Sequence, residues 1–76
     1  MEKLLEILKE IRSDVDFENE TKLIDNAIID SFDIISIISE INDAYDIEID
    51  VSDISPENFN SAYSMLELIN KYLNKH

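Results

Sequence analysis

Apolar residues recur with helical spacing through the middle of the chain, and that run constrains the fold more than any other stretch. Phe32, Ile35, Ile38 and Ile41 follow at intervals of three, with Tyr45 one turn further on. The spacing predicts a helix over about 31–45 with those residues turned to a core. Ile34 and Ile37 widen the stripe, so one of the two is expected to be partly exposed and open to a partner. Asp33, Ser36, Ser39, Glu40, Asn42 and Asp43 occupy the remaining positions. Asp30 or Ser31 can cap the helix, because either side-chain oxygen can accept from a first-turn N–H. A serine there stands where the partial positive charge of a helix N-terminus favours an attached phosphate. Asp46 is expected to end the helix, since Asp tolerates left-handed backbone better than most residues.

The flanking segments read as support for that helix. Residues 2–12 predict an amphipathic helix with Leu4, Leu5, Leu8 and Ile11 on one face and Ile7 beside them. A long connection, 13–29, follows, with turn formers Asp14, Asp16, Asn19 and Thr21 and apolar anchors Phe17, Leu23 and Ile24. Asp25-Asn26 predicts a tight turn just before Ile28-Ile29. Ile47 to Val51 alternates with the period of a strand, but no second strand exists to pair with it. It is read as an extended crossing loop that dips Ile47, Ile49 and Val51 into the core. Ser55-Pro56 has the form of a helix start, with serine as cap, opening a short helix that ends near Phe59. Ser61 caps a last helix, 62–73, with Ala62, Met65, Leu66, Ile69, Tyr72 and Leu73 on its apolar face. Lys71 and Lys75 lie near its C-terminal end, where positive charge is favourable. The expected fold is all-α, a small antiparallel four-helix bundle of three longer helices and one short third helix, with a long first loop.

Charge and composition narrow the function. Eighteen acidic residues against six basic ones give a formal charge of −12, and no lysine or arginine lies between Lys22 and Lys71. Such a surface repels nucleic acid and anionic lipid and favours basic protein patches. With 45% hydrophobic residues, the chain is expected to fold despite its acidity, as a single domain over 1–76. No cysteine is present, so there is no disulfide, thiolate metal site or nucleophilic thiol. No charged-then-apolar leader and no run of membrane-span length is visible, and a cytoplasmic monomer is expected.

Self-contained catalysis has little to work with. The single histidine is His76, and a serine–histidine pair of Ser31 and His76 would lack an orienting third group. No glycine is present to build a phosphate-cradling loop. Asp46, Glu48, Asp50, Ser52 and Glu57 fit the register of a calcium-binding loop, yet Val51 stands where that loop needs glycine. The interleaved isoleucines read as core plugs, so no metal site is expected.

Asp30-Ser31-Phe32-Asp33, the isoleucine-rich helix and then Tyr45-Asp46-Ile47-Glu48-Ile49 resemble the acyl carrier proteins, a phosphopantetheine-binding family. Length, acidity, the long first loop and the short third helix extend the resemblance over nearly the whole chain. The resemblance implies a carrier, not an enzyme. A phosphopantetheinyl transferase would move 4'-phosphopantetheine from coenzyme A onto the Ser31 hydroxyl, and an acyl or aminoacyl cargo would ride as a thioester on its terminal thiol. An acyl- or aminoacyl-loading ligase and a downstream acyltransferase or synthase would be the further partners. Asp30, Phe32, Asp33, Ile34, Ile37, Glu40 and Asp43 would form the docking surface, with the acids steering basic partners. Phe32 replaces the usual leucine, Ala27 and the isoleucine pair stand where many relatives carry glycine, and Ser36 and Ser39 replace acidic or apolar residues. These departures point toward a specialised D-alanyl, aminoacyl, peptidyl or secondary-metabolite carrier instead of a fatty-acid one. The competing class is a helical interaction module with Ser31 unmodified.

Overall fold

The computed structural model describes residues 1–74. The described residues form helices α1 (Glu2–Ile11), α2 (Ser31–Tyr45), α3 (Pro56–Phe59) and α4 (Ala62–Leu73), with a 3-10 turn at Val51–Asp53 and no strand. Helix α1 packs on α2 and α4, and α3 packs on α4. The expected Lys75 and His76 lie outside the described residues.

Each helix begins and ends for a local reason. At the start of α2 the Asp30 carboxylate accepts the Asp33 amide at 3.0 Å, and the Asp33 carboxylate accepts the Asp30 amide at 3.2 Å. This reciprocal cap satisfies two backbone donors that a helix start would otherwise leave open. Asp46 ends α2 at φ 54, in the left-handed region, and its amide donates to the Asn42 carbonyl. Ser61 and Ser64 cap α4 in the same reciprocal way. Ser55 holds the N-cap position of α3 but its side chain makes no capping bond; Pro56, with its φ already helical, starts that helix instead. The last turn of α2 carries no cation of its own. Lys3 supplies one from α1, donating to the Ala44 carbonyl at 2.9 Å with its ammonium 4.6 Å from the Tyr45 ring centroid.

The core corrects which face of α2 is inward. Ile37 and Ile41 are fully buried, Ile34, Ile38 and Tyr45 are half-buried, and Phe32 and Ile35 are 78% and 65% exposed. A strict three-residue repeat falls about 60° short of a full turn at each step, so Phe32 to Ile41 winds half-way round the helix. The residues that truly share a face are 34, 37, 38, 41 and 45. In α4 the buried arc runs through Ala62, Met65, Leu68 and Ile69, which brings Leu68 inward and leaves Leu73 exposed. Ile47 and Ile49 enter the core as expected, but Val51 is exposed. It opens the 3-10 turn, whose cap is the Asp50 carboxylate accepting the Ser52 amide at 2.9 Å.

The long first loop is packed down. Phe17, Leu23 and Ile29 are buried, and Ile24 is half-buried. Asn60, between α3 and α4, holds the loop: its carbonyl accepts the Leu23 amide, and its side-chain oxygen accepts the Ile24 and Asp25 amides. The Leu23 carbonyl in turn accepts the amides of Ile28 and Ile29. That turn passes through Ala27 at φ 53 and delivers the chain to Asp30.

Candidate functional site

Ser31 is the first residue of α2, and it is exposed. The capping work falls on Asp30, so the Ser31 hydroxyl takes no part in it. Asp33 turns its carboxylate back over the Asp30 amide and toward α1. The amides of Ser31 and Phe32 precede the first intrahelical bonds and have no acceptor among the described residues. They are open donors in the place where the helix dipole favours negative charge.

The cap is fastened by a residue that periodicity alone treats as surface filler. Arg12, the C-cap of α1, donates from Nη1 to Asp33 Oδ2 at 2.7 Å. Its Nε and Nη2 grip Asp14 at 3.0 and 2.9 Å, a paired fork on one carboxylate. The hydrogen bond from Arg12 holds the Asp14 carboxyl down at about 2. The bonds to Asp14 and Asp33 raise the pKa of the guanidinium in return. The legible signal for this clasp is that Arg12 is the only arginine in the chain, placed at a helix end before a run of turn-forming acids.

The other expected docking residues separate into two groups. Phe32, Glu40 and Asp43 are exposed on α2, and they are joined there by Ile35, Ser36 and Ser39, which are not among the expected docking residues. Ile37 is fully buried and is therefore removed from the docking surface; it faces the core on the side opposite Phe32. Ile34 is half-buried, and Asp33 is occupied by Arg12. From Ser31 to Ser39 the exposed positions thus carry no charge. Charge begins at Glu40.

Among the described residues, no group of three or more His, Asp or Glu side chains is placed to hold a metal ion. Of the carboxylates that fit the calcium-loop register in the 46–57 stretch, that of Asp50 caps the 3-10 turn. Near it, Tyr72 donates from its hydroxyl to the Asp53 carboxylate and accepts the Asp50 amide at 2.8 Å. No helix among the described residues is long and apolar enough to cross a membrane.

Comparison with known proteins adds one match. The model of a family described as "Phosphopantetheine attachment site" matches residues 2–69, which takes in α1, α2, α3 and α4 up to its last turn. None of the curated proteins compared matches the chain.

Proposed function

The chain belongs to the phosphopantetheine-attachment-site family, and we propose that the Ser31 hydroxyl is where it bears its covalent 4'-phosphopantetheine. The observation that carries this assignment is the division of labour at the start of α2. Asp30 makes the cap, which leaves the exposed Ser31 hydroxyl outside the cap, on the mouth of the helix. When attached, the cofactor supplies a terminal thiol on which a cargo can ride as a thioester, a group this cysteine-free chain does not have.

The chain's own residues then have limited tasks. Asp30 and Asp33 hold the first turn of α2 in shape. The amides of Ser31 and Phe32, which precede the first intrahelical bonds, would be the donors open to the phosphodiester. No base is needed in the carrier, because a phosphopantetheinyl transferase would take the serine proton. Phe32 and Ile35 present apolar surface beside the serine to that transferase, to a loading ligase and to a downstream acyltransferase or synthase, while Glu40 and Asp43 draw basic patches on those partners. The proposed chain is a cytoplasmic, monomeric carrier over residues 1–76, its helices arranged as an antiparallel bundle.

Within the family, the exposed α2 face supports a D-alanyl, aminoacyl or peptidyl cargo over a fatty acyl one. Phe32 is large and open to solvent, and Ser36 and Ser39 are uncharged on the docking face. The test is intact mass after incubation with coenzyme A, Mg²⁺ and a broad-specificity transferase, beside Ser31→Ala. The expected result is a gain of one phosphopantetheine in the wild-type chain and none in the variant. A folded wild-type chain that gains no mass with several transferases would leave an unmodified interaction module as the better reading.

A further inference from the structure

The geometry points to Arg12 as a positioning residue for the modification of Ser31, an inference that rests on the attachment reading above. Asp30 and Asp33 cap each other, so the first turn of α2 depends on two carboxylates next to the residue that would gain a negative phosphodiester. Carboxylates so close to a new anion oppose it unless one is paired. Arg12 provides the pair, donating to Asp33 Oδ2 at 2.7 Å, on the same oxygen that accepts the Asp30 amide.

The pairing also crosses between elements. Arg12 ends α1, and its second grip, on Asp14, fixes the guanidinium from the far side through two parallel bonds. A bidentate fork restrains the guanidinium in one orientation, which a lysine cannot match. The Asp33 side chain is only 15% exposed, so its bond to Arg12 is shielded more than the exposed Arg12–Asp14 pair. Arg12 therefore ties the end of α1 to the first turn of α2, and it does so 21 residues away in sequence from the carboxylate it holds. The side-chain hydrogen bonds of Arg12 go to Asp14 and Asp33 and not to Ser31, so it acts on the serine through Asp33.

Two measurements test this, with Lys3→Ala as control, because Lys3 holds the opposite end of the same helix. The first is amide hydrogen exchange on the unmodified chain. Arg12→Ala should speed exchange of the Asp33 and Ile34 amides, which Asp30 accepts, by about tenfold, while Lys3→Ala leaves them unchanged. The second is the rate of phosphopantetheine transfer with coenzyme A and a broad-specificity transferase. Arg12→Ala should lower kcat by about tenfold with KM little changed, since a misplaced reacting group costs rate while the docking face stays intact. Arg12→Lys should recover part of that loss by restoring charge on Asp33. First-turn exchange that is the same in Arg12→Ala and wild type would overturn the inference, as would an equal loss of kcat in Lys3→Ala. A wild-type chain that gains no mass sinks the Ser31 reading, and the exchange comparison then decides alone whether Arg12 sets the helix start.

Discussion

The backbone amide of Leu23 donates to the backbone carbonyl of Asn60 at 2.9 Å, and this bond joins the long first loop to the α3–α4 junction. The Asn60 side chain completes the joint, accepting the Ile24 and Asp25 amides and donating to the Asp25 carboxylate at 3.2 Å. Asn60→Ala would leave the part-buried Ile24 amide without its acceptor. The expected loss is about 1–3 kcal/mol, the range for an unsatisfied buried donor. Urea unfolding monitored by circular dichroism reads it, and a midpoint equal to wild type would show that water replaces the side chain there.

The turn that leads into Asp30 carries a second weak point. Ala27 has φ 53, a conformation in which its Cβ crowds the following carbonyl. Glycine has no Cβ to crowd, though it gives up more freedom on folding. Ala27→Gly should therefore stabilise by up to about 1 kcal/mol, and Ala27→Val should destabilise, since branched residues resist positive φ most. Thermal unfolding of the two variants in parallel checks the sign. A Tm order with valine above glycine would mean that the turn does not hold this conformation in solution.

Much of this architecture is visible in the amino-acid pattern, and what is hidden has identifiable causes. The limits of α2, its left-handed stop at Asp46 and the proline start of α3 follow from local chemistry that a single residue type carries. The inward face of α2 does not, because isoleucine occupies positions 34, 35, 37, 38 and 41, on both sides of the helix. Only packing into the shared core separates them. Asn60 and Arg12 are likewise silent in periodicity: each acts on a partner distant in sequence, at Ile24 and at Asp33. Ser31 was legible as a helix-mouth residue, whereas the freedom of its hydroxyl depends on Asp30 taking the cap.

Stability should respond to pH at both extremes. Asp14 is lowered from 3.8 to about 2 by its bond to Arg12, so the folded state releases its proton more readily than the unfolded one. Its contribution is complete above pH 3.8 and disappears as pH falls toward 2. Tyr72 is shifted the other way, raised by the hydrogen bond it donates to Asp53, which exists only while the phenol keeps its proton. Its contribution is complete below pH 10 and is lost as pH rises beyond that value. Urea midpoints measured across pH should show a shallower acid limb in Asp14→Asn and a shallower alkaline limb in Tyr72→Phe. A limb unchanged in its variant would remove that group from the titration.

The two sides of α2 should separate stability from recognition. Ile37 is fully buried, and Ile37→Ala removes core volume at a cost of about 2–5 kcal/mol. Phe32 and Ile35 are exposed, so Phe32→Ala and Ile35→Ala should change stability by less than about 0.5 kcal/mol. The same two variants should raise the KM for phosphopantetheine transfer, because apolar residues beside the serine supply contact that no charge on this part of the helix can replace. High salt should weaken transfer only modestly, since the Asp30 carboxylate beside Ser31 is engaged in the cap and exposed charge on α2 itself begins at Glu40, about 14 Å along the helix from Ser31. If Phe32→Ala instead unfolds the chain, α2 is rotated in solution so that Phe32 and Ile35 face the core. If both exposed variants fold and are modified at the wild-type rate, the transferase approaches Ser31 from the loop side, across Ile28 and Asp30.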